Sequence, residues 1–243
     1  CCQSDVPEAI AVSNQMHGFV VVDAACQPVY GAVTWQDRRG ETAVAEIRES
    51  VDREALRRVG GELRTGIPLA TLRAVSVPVG TLLSIGDWVT TSLTGSIGPM
   101  HATNAAAMGF LDVGACTWDE ACVSAAGIQL SQLPDVTRDC VVVGRAAEGS
   151  RVLCAVGDQQ AALLGVGLDE AEISFNVATG AQVARIGRGL APSAQTRPYF
   201  ESRCLHTVTH IPAGRALNAW LRLLVAQSDP PIELEDAWNR MLP

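Results

Sequence analysis

The run RVLCAV at residues 151–156 is apolar, stops on Gly157-Asp158, and passes without a spacer into QQAALLGVGL, a stretch of helix formers. A buried strand that feeds straight into a helix is the repeating unit of α/β folds, and this junction constrains the chain more than any other feature. Ligands meet such sheets where strands end and helices begin. Asp158 therefore stands where a carboxylate can take a proton from a hydroxyl, while the free amides of the following helix favour an approaching anion. The competing role is local, because aspartate is also a good cap for the helix it introduces.

The remaining pattern predicts one α/β domain with a mixed β-sheet flanked by helices. Between Ala9 and Trp35, AIAVS, GFVVVD and PVYGAVTW read as three short strands joined by turns, most simply an antiparallel meander. Charged and apolar residues then alternate at helical spacing from Asp37 to the Gly60-Gly61 stop. Residues 64 to 130 read mainly as helices and loops, with a helix over Leu82–Leu93. EISFNVATGAQVARI reads as a hairpin turning at Ala178-Thr179-Gly180, and CLHTVTHI as a strand leading to the amphipathic helix RALNAWLRLLVAQ. No internal repeat or flexible linker divides the chain.

Composition removes whole classes of function. All 18 basic residues are arginine, so an imine-forming lysine and the lysine of a Walker phosphate loop are excluded within this chain. The net charge of -8 argues against nucleic acid or an anionic membrane as partner. No stretch approaches the ~18 consecutive apolar residues of a membrane span, and the start CCQSDVPEAI has no basic leader, so the expectation is a cytoplasmic protein. Its first residue is Cys rather than Met, which suggests that the natural start lies upstream. The eight cysteines form no C-x-x-C pair, and most are expected to be buried small hydrophobes. No G-x-G-x-x-G follows an early strand, which removes the motif of a dinucleotide dehydrogenase.

Two further groups of residues suit a small polar ligand. Thr179-Gly180 lets backbone amides approach phosphate oxygens, although a plain hairpin turn uses the same residues. Gln15, Met16 and His17, with Trp35 and Asp37, place amide, imidazole and carboxylate groups beside an indole, a combination that bonds sugar hydroxyls and covers a sugar's carbon face. Structurally, the same residues could be a turn, a core tryptophan and a helix start. His206 and His210 share a strand and stand about 13 Å apart along it, too far to chelate one ion; they read as surface or structural residues. His101 precedes an Asn/Ala-rich stretch and is either a cleft residue or part of a loop.

Taken in order, these segments resemble the FGGY carbohydrate kinases, the group of glycerol kinase, xylulokinase, ribulokinase and sedoheptulokinase. Ser13–Gly18 is similar to the family's G-Q-M-H-G element, with Asn14 in place of the first Gly, and Thr34–Arg39 to its W-x-D-x-R element. SIGDWVTTSLTG, HATNAAAMGFLD, GDQQAALL and NVATGAQV resemble four more family elements, in register across most of the chain. The resemblance implies an actin-like, ribonuclease-H-like fold whose two domains close on a sugar and on ATP with Mg²⁺. It also implies Asp158 as catalytic base, Gln15, Met16, His17, Trp35, Asp37 and Gln159 as sugar contacts, and Thr179 and Gly180 beside the nucleotide phosphates; no metal ligand is assigned. Met16-His17 resembles the ketose kinases rather than glycerol kinase, TWQD with RPYFESRCLHTVTHIPAGRALNAWL resembles sedoheptulokinase, and GDQQAALLG is equally similar to the glycerol kinase form; together they point to sedoheptulose, then xylulose.

The family's D-x-G-T-T-x-x-K hairpin and its carboxyl-terminal domain are absent from these 243 residues. Residues 1–243 are then expected to be an incomplete sugar-binding first domain, with a helical insertion at about 64–130. A non-catalytic sugar-binding remnant is the alternative. A homo-oligomer is compatible with this pattern.

Overall fold

The computed structural model describes residues 6–227 and 232–241; Cys1 and Cys2 lie outside the described residues. The 151–157 run forms two short strands, Arg151–Leu153 and Val156–Gly157. They lie parallel to Ala9–Ile10 and Ser13–Asn14, with Ala9 opposite Arg151 and Asn14 opposite Gly157. The expected meander is therefore only partly present. Phe19 bridges Val33 and Val22 bridges Pro28, but the first run leaves its neighbours and pairs with a segment some 140 residues later. Alternation marks a strand and is silent about its partner.

Phe19–Val22 pairs on its other side with Thr81–Ser84, antiparallel, burying Leu82 and Leu83. The helix expected over Leu82–Leu93 accordingly begins later, at Ile85, and runs to Thr94. Ser84 sets that start: its hydroxyl oxygen accepts the Asp87 N–H at 3.1 Å, a side-chain cap. The helices Ala43–Ser50, Pro68–Ala74 and Glu120–Ala125 cover a core built on Phe19, Ile47, Ile67, Leu82, Met100 and Phe110. Each such side chain contributes roughly 1.5–3 kcal/mol by leaving water.

A second sheet follows, all antiparallel, in the order Ser174–Val177, Gly180–Gly187, Cys204–Pro212, Gln195–Pro198. Leu163 from the helix Asp158–Gly165 packs on its inner face with Ala184, Ile186, Tyr199 and Leu205. Helix and sheet are thereby fixed together at the carboxyl end of the first strands. Among the described cysteines, Cys122, Cys154 and Cys204 are buried, Cys26 and Cys116 half-buried and Cys140 exposed, so burial is less general than composition suggested. Among the described residues no helix is long and apolar enough to cross a membrane.

Candidate active site

A cleft of about 430 Å³ opens between the first strands and the second sheet. Gln15, Met16, His17, Trp35, Asp158 and Gln159 line it from one side; Asn176, Gly180, Gln182 and His210 line it from the other.

The short helix Ala102–Ala107 is the hub of the first wall. Its Thr103 Oγ1 accepts the Gly157 N–H at 3.0 Å and donates to His101 Nδ1 at 2.9 Å. His101 Nε2 in turn donates to the Arg138 carbonyl at 3.1 Å, so this buried histidine is a structural strut. Asn104 Nδ2 donates to Asn14 Oδ1 and to the Ala155 carbonyl, both at 3.0 Å. The Ala107 carbonyl accepts from His17 Nδ1 at 2.8 Å. One turn of helix thus fixes the Asn14–His17 segment and the Asp158 junction relative to each other, through polar groups that would be costly to bury unpaired.

At that junction the helix cap is Gly157, and Asp158 occupies the first helical position. Its Oδ1 accepts the Gln159 N–H at 2.7 Å, and its side chain is exposed on the cleft. The capping role considered for Asp158 therefore falls to its neighbour.

His17 has a left-handed backbone, φ 62, and is buried. Donation from Nδ1 to Ala107 leaves Nε2 an acceptor, 3.8 Å from Glu62 Oε1. Burial, with Arg197 and Arg64 adding, outweighs the pull of Glu62 and lowers the imidazole to about 4, so it is neutral at pH 7. Burial resists ionisation of Glu62, yet Arg197, then His17 and Arg64, hold its carboxyl down to about 2. The Glu62–Arg197 ion pair, 2.7 Å, is the buried electrostatic centre of the site. Arg197 also bonds the Gln159 side chain and Met16 Sδ, while Arg64 Nε lies 3.1 Å from Glu62 Oε1. Gly60, at φ 91, makes this possible: a Cβ there would run into the Thr196 carbonyl, and Thr196 N–H bonds the Gly60 carbonyl at 2.9 Å.

Trp35 is 48% exposed, which sets aside the core reading, and its ring walls the cleft. Asp37 stands off the cleft lining, paired with Arg39, whose side-chain hydrogen bonds hold it below the usual carboxylate range. Thr179 is exposed in its turn, and its carbonyl accepts the Arg215 N–H at 2.9 Å, docking the turn on the helix Gly214–Ala226. Its neighbours Ala178 and Gly180 line the cleft.

This arrangement coincides with a known family. The sequence profile of the FGGY family of carbohydrate kinases, N-terminal domain, matches residues 2–165. The chain belongs to this family. It is 31% identical over 229 residues to a glycerol kinase of Shewanella sp. (strain W3-18-1), covering 82% of this chain and 46% of that protein. Among solved structures, xylulose kinase from Rhodospirillum rubrum superposes with a TM-score of 0.80 at 20% identity, covering 99% of this chain and 53% of that one. Plasmodium falciparum glycerol kinase with ADP also reaches 0.80 at 20% identity, over 93% and 51%. The fold is accordingly the actin-like, ribonuclease-H-like one of FGGY kinases. The chain spans about half the length of such relatives.

Within this FGGY domain the structure brings to the cleft residues that sequence reasoning passed over. Glu62, Arg64 and Arg197 had no local signal, since each gains its meaning from a partner in a distant segment. The Gly60-Gly61 stop marked only the end of a helix.

Proposed function

We propose that this chain forms the acceptor-binding part of an ATP-dependent kinase that phosphorylates a hydroxyl of a polyhydroxylated sugar, a ketose such as sedoheptulose or xylulose, with Asp158 as general base. The observation that carries the reading is the exposed Asp158 carboxylate, held at a sheet-to-helix junction on the same cleft as His17 and Trp35. A base must reach the proton it removes and must not be locked into other bonds. Asp158 meets both demands, with one oxygen engaged by the Gln159 amide and its side chain open to the cleft.

In this reading the reacting hydroxyl gives its proton to Asp158, its oxygen bonds to the γ-phosphorus, and the bond from that phosphorus to the β-γ bridging oxygen breaks, leaving ADP. The first amides of the Asp158–Gly165 helix favour the phosphoryl oxygens electrostatically. Gln15 and Met16 border the sugar, Gln159 is aimed by Arg197, and Trp35 covers its carbon face. His17 Nε2 presents an acceptor to one sugar hydroxyl, with the Glu62 carboxylate 3.8 Å behind it. The Ala178–Gly180 turn faces the nucleotide's phosphates, with Thr179 at its tip; Asp37 acts at one remove, its N–H bonded to the Thr34 carbonyl and its carboxylate tied through Arg39 to the Tyr30 hydroxyl.

Among the described residues no three His, Cys, Asp or Glu side chains gather as a metal set. Mg²⁺ would arrive with the nucleotide, and Asp158, the carboxylate on the described cleft lining, would be the residue to hold it. When bound, Mg²⁺ supplies charge neutralisation to the transferring group. The relatives' names include glycerol, xylulose and gluconate kinases, and the ketose reading rests on Met16 and His17 standing with Trp35 on the cleft lining.

The test is ADP release by the protein expressed from its complete reading frame, with a panel of ketoses and glycerol. Sugar-dependent turnover is expected, lowered roughly 10²- to 10⁴-fold in Asp158→Ala. Undiminished turnover in that variant, or none with any sugar, would overturn the proposal.

A further inference from the structure

His210 occupies a place that regular strand geometry denies it. In the pairing of Gly180–Gly187 with Cys204–Pro212, Ala181 faces Ile211 and Val183 faces Val208, so Thr209 and His210 together oppose Gln182. This is a β-bulge, and His210 within it adopts a left-handed backbone, φ 60. Strict alternation would put His210 on the face of His206 and Val208, away from the buried Leu205 and Thr207. The bulge turns it instead onto the cleft, whose lining it shares with its cross-strand neighbour Gln182 and with Asp158. A non-glycine residue in this conformation costs about 1–3 kcal/mol, and such positions concentrate at functional sites.

Its hydrogen bonds suit a ring whose Nε2 is free. Thr209 Oγ1 lies 2.7 Å from His210 Nδ1 and 3.3 Å from Gln195 Oε1; with its single proton given to Gln195 it accepts from Nδ1. Nδ1 then carries the hydrogen and Nε2 keeps its lone pair, as in His17. Partial burial and the Arg64 charge both press the ring toward its neutral form.

We propose that His210 is a substrate-contacting residue that selects the acceptor, its Nε2 accepting a hydrogen bond from one hydroxyl of the sugar. This rests on the reading of the cleft as the acceptor site and adds to it a second imidazole acceptor, on the wall opposite His17. His206, by contrast, is spent on the Gly189 carbonyl, 2.9 Å from its Nε2.

The test is calorimetric binding of xylulose and a set of its monodeoxy analogues, each missing one hydroxyl, to the protein expressed from its complete reading frame, with melting temperatures measured alongside. His210→Gly suits the left-handed backbone, so its melting temperature should hold. Its affinity for xylulose should fall roughly three- to tenfold, and His210→Asn, which keeps an acceptor and tolerates the conformation, should recover part of it. One monodeoxy analogue should bind His210→Gly as well as it binds the unsubstituted protein, the non-additivity of a direct contact. Unchanged xylulose affinity in His210→Gly, or equal losses for every analogue, would overturn the role of His210 alone. Absence of sugar binding by the unsubstituted protein would remove the acceptor-site reading and His210 with it.

Discussion

The two walls of the cleft are built on opposite principles. The first is buried and cross-braced: His17, Asn104, Thr103 and Gly157 share one network hung on a six-residue helix. The second is an antiparallel sheet which, apart from the buried Arg197 on its strand Gln195–Pro198, presents to the cleft groups such as Asn176, Gly180 and His210 that are exposed and tied mainly to near neighbours. His17 and His210 make the contrast compact, since both have left-handed backbones, φ 62 and φ 60. One is held by a carbonyl 90 residues away, the other by the residue before it. A wall with long-range polar ties holds geometry and is costly to damage; a wall with local ties tolerates change and can diversify contacts.

The largest effect is expected at the buried ion pair that fastens strand Gln195–Pro198 of the second sheet to the first wall. Arg197→Met leaves Glu62 a buried carboxylate without its closest cation, and a loss of about 3–5 kcal/mol is expected in chemical denaturation. The double variant Glu62→Gln/Arg197→Met should recover much of this, because the cost lies in the orphaned charge. Asn104→Leu is expected to cost somewhat less, roughly 1–3 kcal/mol, by stranding Asn14 Oδ1 and the Ala155 carbonyl. Its cleft should also loosen, seen as weaker sugar binding at a temperature where it remains folded. If Asn104→Leu is as stable as the parent, the first wall is not the rigid one; if Arg197→Met is, the ion pair does not fasten the two walls.

The contrast also explains what could be read from the sequence. The Asp158 junction, the 174–187 hairpin and the last strand and helix were legible because each is a local pattern of polarity and punctuation. The parallel pairing of Ala9–Ile10 with Arg151–Leu153 was not, since alternation names no partner. Leu82 and Leu83 misled for a related reason: an apolar pair leading into a helix fits either a strand end or a helix start, and burial against Val20 and Val21 decided it. In the cleft, Gln15, Met16, His17 and Trp35 were visible as a polar cluster with an indole, and Gln159 only through the family resemblance; Asp37, read with that cluster, stands off the lining. Glu62 and Arg197 were not, because a buried ion pair leaves no trace in either segment alone. His210 was hidden by an insertion of one residue that reverses its face.

Acidification should separate the groups of the braced half. His17 falls from an ordinary value near 6.5 to about 4, so between those pH values the unfolded chain binds a proton that the folded one refuses. Stability therefore declines as pH falls through that window, by roughly 3 kcal/mol in all. Asp87, buried beneath its Ser84 cap, is raised by burial from 3.8 to about 7. It has the opposite sign: the folded state holds a proton the unfolded one lacks, and stability rises as pH falls from 7 toward 3.8. The two nearly cancel, so the parent should show a shallow profile from pH 6.5 to 4. Below 4.5 Glu62 adds a loss, its folded value being about 2. Asp87→Asn should expose the His17 slope in urea midpoints taken across this range, and a flat profile in that variant would remove His17 as a buried neutral group.

The smallest effects are expected from paired glycine substitutions, and they compare the walls directly. Glycine removes the cost of a left-handed backbone at either histidine, a gain of about 1 kcal/mol. At His210 the gain is set against the Thr209 bond of an exposed side chain, so the net change in unfolding free energy should stay within about 1 kcal/mol of zero. At His17 the same gain is set against a buried side chain and its bond to Ala107, so His17→Gly should be destabilised, by about 1–3 kcal/mol. Because both substitutions make the same chemical change in the same backbone conformation, their difference measures what surrounds each ring. Equal responses would mean that the long-range bond to the 102–107 helix contributes no more than a contact between neighbours, and that the two walls differ in appearance only.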